Sequence, residues 1–389
     1  MLYRKNQNIF RGSMNKLISI VLIFLFISGS FVTALNPVSA SELVEDSWNT
    51  KTPPNQERKW FRVVAFDGKI YAIGGFYYET VGEPPLGYIT EHFLDTTERY
   101  DLLTDTWVTL EPMPTPKASF AITVYHDKIY CIDNSPLFSC VVEVYDPATD
   151  SWSTKNYNLP FRLYSRNMQA YVVDGKIFLI DLYALFVYDP AEDSFIEKTQ
   201  IPYIEPRHGI VSAVMDDKLL IFYVVESAYP YDRPNNVHVL IYDPKTDIWS
   251  EGKTQEIGVH GNIMATGATT GVYTPKNIYV LGFKTGQSII WVYDLVKDAW
   301  STAKDMPDFS VCDVAVVDDV LYIFGRIDNH EVNMQYVPAG YGSALPSVSS
   351  PSSDGTWDFL TGSVVAIIVL TIGVVAGGLF FVFKLRKNA

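Results

Sequence analysis

The chain has 389 residues, 44 acidic against 30 basic, for a net charge of −14, and 14% of its side chains are aromatic. So much aromatic material supplies a buried core and excludes wholesale disorder. The length allows two domains or one large all-β domain. The charge is unevenly placed. Residues 1–40 carry Arg4, Lys5, Arg11 and Lys16, the last six carry Lys384, Arg386 and Lys387, and neither end holds an acid. The stretch between holds 44 acids against 23 bases. A domain so acidic repels phosphate backbones, so no nucleic-acid partner is expected.

Leu17 to Ile27 is an apolar run broken only by Ser19, with basic residues before it and Ser28-Gly29-Ser30 after it. Val38-Ser39-Ala40 offers small residues where a signal peptidase reads. Residues 1–40 therefore read as a secretory signal peptide, with an uncleaved N-terminal anchor as the alternative. Translation starts at Met1 or at Met14, since Met14-Asn15-Lys16 already makes a charged n-region.

Next comes a repeat. Tyr100-Asp101-Leu102-Leu103-Thr104-Asp105-Thr106-Trp107 returns as Tyr145–Trp152, Tyr188–Phe195, Tyr242–Trp249 and Tyr293–Trp300. A half-copy, Asp46-Ser47-Trp48, stands alone near the start. A second phrase precedes each copy: Asp67-Gly68-Lys69-Ile70-Tyr71 has counterparts beginning at His126, Asp174, Asp216, Pro275 and Asp318. Each unit reads as four short antiparallel strands: a strand, a tight Asp-Gly turn, a second strand, a third ending at Tyr-Asp, and a fourth carrying Trp. Such a sheet cannot hide both faces alone, and radial stacking buries the Tyr and Trp between neighbours.

The pair Gly74-Gly75, the Tyr-Asp-Pro-x-Thr-Asp-x-Trp phrases and Met113-Pro114 together resemble the Kelch motif. The resemblance covers roughly residues 43–337 and implies an all-β, six-bladed Kelch-type β-propeller over residues 41–338. Only the first unit keeps the Gly-Gly pair, and Phe195 replaces one Trp. The last unit has a strand ending at Tyr336 but no Trp strand of its own, so the N-terminal strand around Trp48 is expected to complete the sixth blade.

Residues 339–356 are rich in Ser, Pro and Gly and read as a flexible stalk. Residues 357–383 read as a transmembrane helix, because Phe359 to Phe383 holds no charge and about 20 apolar residues span a bilayer. The basic tail, residues 384–389, is placed in the cytoplasm by the positive-inside rule, which leaves the propeller extracellular on a single-pass membrane protein.

Within each unit the long connections share one face with the entries to the first strands. Phe76 to Thr97 and Ser227 to Asn236 are the longest, and long loops on a rigid scaffold are where recognition resides. The candidate ligand-binding residues on that face are Tyr77, Tyr78, Tyr229 and Tyr231, together with the strand-entry cations Arg58, Lys117, Arg166 and Arg207 and the adjacent His208. Tyr88 accompanies them on the first loop. If the cations converge near the axis they form a positive ring suited to carboxylates; the competing expectation is paired charge at a strand end. Cys131 and Cys140 flank a hairpin and form a possible disulfide, while Cys312 is expected as a buried free thiol. The six histidines show no ligand spacing, and Asp216-Asp217 and Asp318-Asp319 sit in turn phrases, so no metal, cofactor or catalytic residue is predicted. The expected function is a surface-displayed module binding a protein, peptide or polysaccharide, as the Kelch resemblance also implies. The alternatives are a membrane-tethered carbohydrate-active or lyase-type enzyme and a structural envelope component.

Overall fold

The computed structural model describes residues 43–342 except 83–86, 136–138, 160–167, 181–183, 199, 203–206, 226–233, 259, 285–286 and 329. The expected signal peptide, transmembrane helix and tail, and the expected stalk beyond residue 342, lie outside the described residues. The first residues of that stalk, 339–342, are packed on the ring and not free: the Gly340 N–H donates to Glu45 (2.6 Å), the Gly342 N–H donates to the Tyr273 carbonyl (2.7 Å), and Tyr341 stacks on Tyr273. No helix among the described residues is long and apolar enough to cross a membrane.

The chain opens with β1 (Ser47–Lys51). Blade 1 follows as β2 (Arg62–Phe66), β3 (Lys69–Ile73), a two-stranded excursion of β4 (Phe76–Val81) and β5 (Tyr88–Phe93), then β6 (Thr97–Asp101) and β7 (Thr106–Thr109). Blade 2 is β8 (Ala121–Tyr125), β9 (Lys128–Ser135), β10 (Ser139–Asp146) and β11 (Ser151–Asn158). Blade 3 is β12 (Gln169–Val173), β13 (Lys176–Ile180), β14 (Leu185–Asp189) and β15 (Ser194–Glu197). Blade 4 is β16 (Arg207–Met215), β17 (Lys218–Val225), β18 (Asn235–Asp243) and β19 (Ile248–Gly258). Blade 5 is β20 (Asn262–Ala268), β21 (Ile278–Lys284), β22 (Gln287–Asp294) and β23 (Ala299–Thr302). Blade 6 joins β24 (Ser310–Val317), β25 (Val320–Ile327) and β26 (His330–Val337) to β1, with Trp48 opposite Tyr336. The architecture is the expected six-bladed all-β propeller, closed by its N-terminal strand.

Strand periodicity explains the core. Side chains alternate between the two faces of a strand, and both faces of a blade meet a neighbour, so middle strands are apolar on both, as in the run Leu-Leu-Ile-Phe-Tyr-Val-Val that follows Lys218 in β17. Six apolar clusters fill the six gaps between adjacent blades. Phe186 and Tyr188 face blade 2, for example, whereas Leu185 and Val187 face blade 4.

The repeated phrase serves as a lock between blades. Its Tyr hydroxyl donates to the Asp five residues on, at 2.5 Å for Tyr100–Asp105, 2.6 Å for Tyr145–Asp150, 2.9 Å for Tyr188–Asp193 and 2.7 Å for Tyr293–Asp298, and also from Tyr242 to Asp247. In blade 6 the Tyr336 hydroxyl donates to Asp46 at 2.9 Å, so the N-terminal half-phrase supplies the missing acceptor. These six aspartates all have φ between 47° and 58°, a left-handed conformation that Asp tolerates through its short polar side chain. Three of these carboxylates also take a backbone N–H from the preceding blade, Thr52 to Asp105 (2.9 Å), Glu111 to Asp150 (2.9 Å) and Lys253 to Asp298 (2.7 Å). The Trp indole returns a bond to the carbonyl of that same residue, Trp107 to Thr52, Trp152 to Glu111 and Trp300 to Lys253. Phe195 has no indole N–H; there the Lys155 ammonium (2.7 Å) and Tyr157 hydroxyl (2.5 Å) of blade 2 reach Asp193 instead. Those donors, Lys155 foremost, hold the Asp193 carboxyl down at about 2.

Around the axis the innermost strands are tied by a second set of bonds. Asp313 accepts Val63 N–H at 3.0 Å, Arg62 donates to the carbonyls of Phe120 (2.8 Å) and Met168 (3.3 Å), Ser212 N–H donates to Gln169, and Thr266 donates to the Ser212 carbonyl. They surround an axial cavity of about 310 Å³.

Asp150→Ala removes the acceptor for one buried hydroxyl and one backbone N–H and places a Cβ-only residue at positive φ. It should cost about 2–3 kcal/mol in chemical denaturation, against less than about 0.5 kcal/mol for the exposed control Glu192→Ala. Equal midpoints for the two variants would contradict the lock.

Candidate functional site

The segment Phe76 to Thr97, expected as an irregular loop, is mostly a regular hairpin. β4 and β5 pair from Phe76–Phe93 to Val81–Tyr88. Its base is clamped. Lys59 and Phe76 exchange two backbone bonds (2.7 and 2.9 Å), Leu94 N–H reaches the Gly75 carbonyl (2.8 Å), and Gly75 N–H reaches the Lys117 carbonyl (2.8 Å). Gly74 and Gly75 have φ of 65° and 104°, and a Cβ on Gly74 would stand 2.4 Å from the Lys117 carbonyl oxygen. The Gly-Gly pair thus lets the chain leave blade 1 against blade 2 and turn outward.

Phe76 is buried at the base, but the hairpin is otherwise open. Tyr88 is 64% exposed, Ile89 70%, Tyr78 49%, Phe93 47% and Tyr77 39%, and Trp60 beside the base is 52% exposed. The arrangement is ordered by contacts within it. Tyr77 stacks on His92 with centroids 5.1 Å apart, His92 lies 2.7 Å from Glu79, and the Lys59 ammonium sits 4.8 Å from the Tyr78 ring centre. Between Tyr77, Tyr78, the segment Gln56–Lys59 and the β25–β26 turn lies a groove of about 650 Å³. The structure therefore brings Tyr77, Tyr78 and Tyr88 together on one projecting element. Tyr229, Tyr231 and Arg166 lie outside the described residues. Arg207 and His208 begin β16, and their side chains are likewise outside the description.

Two of the four members of the expected cationic ring are corrected by the structure. Arg58 is 1% exposed and lies 2.8 Å from Glu98 of β6, and Lys117 is 5% exposed and lies 2.6 Å from Glu143 of β10. Both glutamates stand two residues before the blade's lock tyrosine, where blades 3 to 6 carry Phe186, Leu240, Trp291 and Met334. The two cations thus neutralise buried acids in blades 1 and 2 and present no charge to a ligand. The disulfide is corrected too. Cys131 sits opposite Glu143 and Cys140 opposite Asn134, so the two sulfurs lie on opposite faces of the sheet, Cys131 toward blade 1 and Cys140 toward blade 3. Both are free, and burial pushes each thiol up to about 12, as it does the half-buried free thiol of Cys312.

Asp216-Asp217 and Asp318-Asp319 are turn formers as read, all at positive φ, with Asp319 accepting N–H bonds from Tyr273 (2.8 Å) and Thr274 (3.2 Å). No cluster of three metal-ligating side chains occurs among the described residues. In the axial cavity the Arg62 and Asp313 side chains, 3.8 Å apart, are committed to the inter-strand bonds described above.

Sequence reasoning missed Ile89 and Phe93, whose alternation within Tyr-Ile-Thr-Glu-His-Phe was the available strand signal. It also missed Glu331. This residue of β26 accepts the Arg58 backbone N–H and lies 3.7 Å from Arg326, which pairs with Glu57 at 2.9 Å. Burial pushes its carboxyl from 4.5 up to about 7.

Two outcomes follow for this region. Lys117→Met leaves Glu143 buried and unpaired and should cost about 3–5 kcal/mol, while adding Glu143→Leu should restore most of it, as the apolar counterparts in four blades imply; a double variant no better than the single one contradicts this reading. For Glu331, the folded chain keeps a proton that the unfolded chain has lost between about pH 4.5 and 7. Its stabilising contribution is therefore complete below that window and is lost as pH rises through it. Melting temperatures of Glu331→Gln and the parent should diverge in favour of the variant between pH 5 and pH 8, and parallel curves would contradict the assignment.

Comparison with known proteins agrees with the geometry. The Kelch motif matches residues 58–114, which span the clamped base, the hairpin and the blade 1 lock. Kelch-like protein 35 of Mus musculus is 23% identical over 51% of this chain and 32% of its own length. Kelch repeat and BTB domain-containing protein 8 of Danio rerio is 23% identical over 52% of this chain and 33% of its own. The chain thus spans about a third of the length of these relatives. The solved structure titled "Structure of YjhT" superposes with a TM-score of 0.51 at 12% identity, covering 74% of this chain and 96% of that one. Fold, lock and motif together make the chain an all-β, six-bladed propeller carrying a Kelch motif.

Proposed function

We propose that the propeller is a protein-recognition module that engages its partner with the β4–β5 hairpin and the groove beside it. The observation that carries this reading is the set of exposed apolar side chains, Tyr78, Tyr88, Ile89 and Phe93, on a hairpin whose base is clamped by four backbone bonds. Large aromatics held in place lose little entropy on binding and dominate interface energetics. An apolar patch of Tyr78, Ile89 and Phe93 on one face of the hairpin, with Tyr88 on the other, is also a poor match for water alone. The similarity to Kelch-repeat proteins supports the same class of function.

The chain displays this module outside the cell. The apolar run Phe359–Phe383 holds it in the membrane, the basic end remains in the cytoplasm, and residues 343–356 act as the spacer. A catalytic reading gains nothing from the axial cavity, where the one acid–base pair is consumed by strand-to-strand bonds.

The test uses the full chain as bait against cell-surface extracts, with Tyr78→Ser, Tyr88→Ser and Phe93→Ser combined. Specific protein capture should fall by about tenfold or more, while the melting temperature changes little because all three side chains are exposed. Undiminished capture, or binding only to arrayed glycans, overturns the reading.

A further inference from the structure

β5 has a free edge. Its inner side pairs with β4, and among the described residues no strand pairs with its outer side. An edge strand presents a row of open N–H and C=O groups, and proteins that avoid pairing blunt such edges with charged side chains, lysine above all, with proline, a bulge or a covering segment. β5, Tyr-Ile-Thr-Glu-His-Phe, has no lysine and no proline, carries the single acid Glu91, and pairs with β4 without a register shift. At 64% and 70% exposure, Tyr88 and Ile89 leave the first half of the strand open to solvent.

We infer that β5 pairs edge to edge with β5 of a second copy of this chain, joining two hairpins into one four-stranded antiparallel sheet about a two-fold axis at Thr90. This rests on the hairpin being the recognition element and names its partner. The register follows from symmetry. A two-fold axis normal to a sheet returns each side chain to the same face, and directly opposed residues share a face. The axis therefore passes through one residue and cannot fall between two. Centred on Glu91, the pairing opposes two carboxylates directly, which destabilises a sheet. Centred on Thr90, it opposes Thr90 with Thr90, Tyr88 with His92 of the second copy, and Ile89 with Glu91 of the second copy, with no like charges facing. Five of the six residues then find partners, and Thr–Thr is a favourable cross-strand pair. Centres nearer either end pair three residues or fewer.

The strand is self-complementary in this one long register, which favours a second copy over an unrelated extended segment. Five opposed residues a side fall short of the roughly 20–30 residues a side of a standard stable interface, so the pairing is reversible and concentration-dependent.

Cysteine cross-linking of the full chain tests this. Opposed residues of an antiparallel pair stand within disulfide reach, so Thr90→Cys should cross-link to a dimer under mild oxidation by molecular oxygen with a copper catalyst. The rate should exceed by about tenfold or more that of Leu103→Cys, an exposed position on the opposite face of the ring. Thr90→Lys, which charges the edge, should abolish the concentration-dependent dimer in sedimentation. Equal cross-linking at the two positions, faster cross-linking of Glu91→Cys, or a parent that is monomeric at every concentration overturns the proposal. If the chain is monomeric while the triple serine variant still loses captured proteins, homotypic pairing fails and the recognition reading stands. If Thr90→Cys cross-links as expected while the triple variant captures normally, the pairing stands and the recognition reading fails.

Discussion

A buried tyrosine hydroxyl must find an acceptor, and this fold supplies the same one six times. The acceptor is an aspartate at positive φ, five residues further along in five blades and contributed by Asp46 in the sixth. The bond does two jobs. It satisfies a phenol in the apolar gap between blades, and in blades 1, 2, 3 and 5 it orients a carboxylate that also bonds the preceding blade. Local turn geometry and inter-blade spacing are thereby set by one group. Where the indole partner is missing, at Phe195, the neighbouring blade sends Lys155 and Tyr157 to the same carboxylate, so the constraint survives a change in its components.

With one face of the ring occupied by these locks, the opposite face is left to carry variation. That division explains why an aromatic hairpin can grow out of blade 1 without disturbing the stack. Its demands fall chiefly on Gly74-Gly75, on the Lys59–Phe76 bonds and on the backbone of Lys117 in the next blade, whose carbonyl accepts from Gly75 and whose N–H donates to Leu94. Lys117 therefore serves twice, its backbone holding the hairpin and its ammonium neutralising Glu143.

Much of the ring was legible in the chain because its information is local. Asp-Gly turns, the Tyr…Asp spacing and the paired aromatics each act within a few residues, and the orphan Trp48 pointed to closure because a fourth strand was missing elsewhere. The charges were not legible. Arg58 and Lys117 read as candidates for a ring because their partners, Glu98 and Glu143, are brought near only by folding across the blade. The cysteines illustrate a subtler limit. Nine positions apart on a hairpin they looked bridgeable, but the face on which each thiol lies depends on the strand register, and the pairing of Cys140 with Asn134 puts it on the far side of the sheet. The hairpin was half visible: its tyrosines were noticed, while Ile89 and Phe93 were concealed by polar neighbours in the same strand.

The closing bond between Tyr336 and Asp46 joins positions 290 residues apart. During synthesis the first strand must wait, unpaired, until almost the entire ring has left the ribosome. Of the six tyrosine–aspartate bonds, the one that seals the toroid closes the longest stretch of chain and so carries the greatest loop-closure entropy. The same seam is the natural place for the finished ring to part. Strands β1 and β26 run antiparallel, with Ser47 beside Val337, so traction applied to the chain after residue 337 would load the seam from one end and unzip it pair by pair.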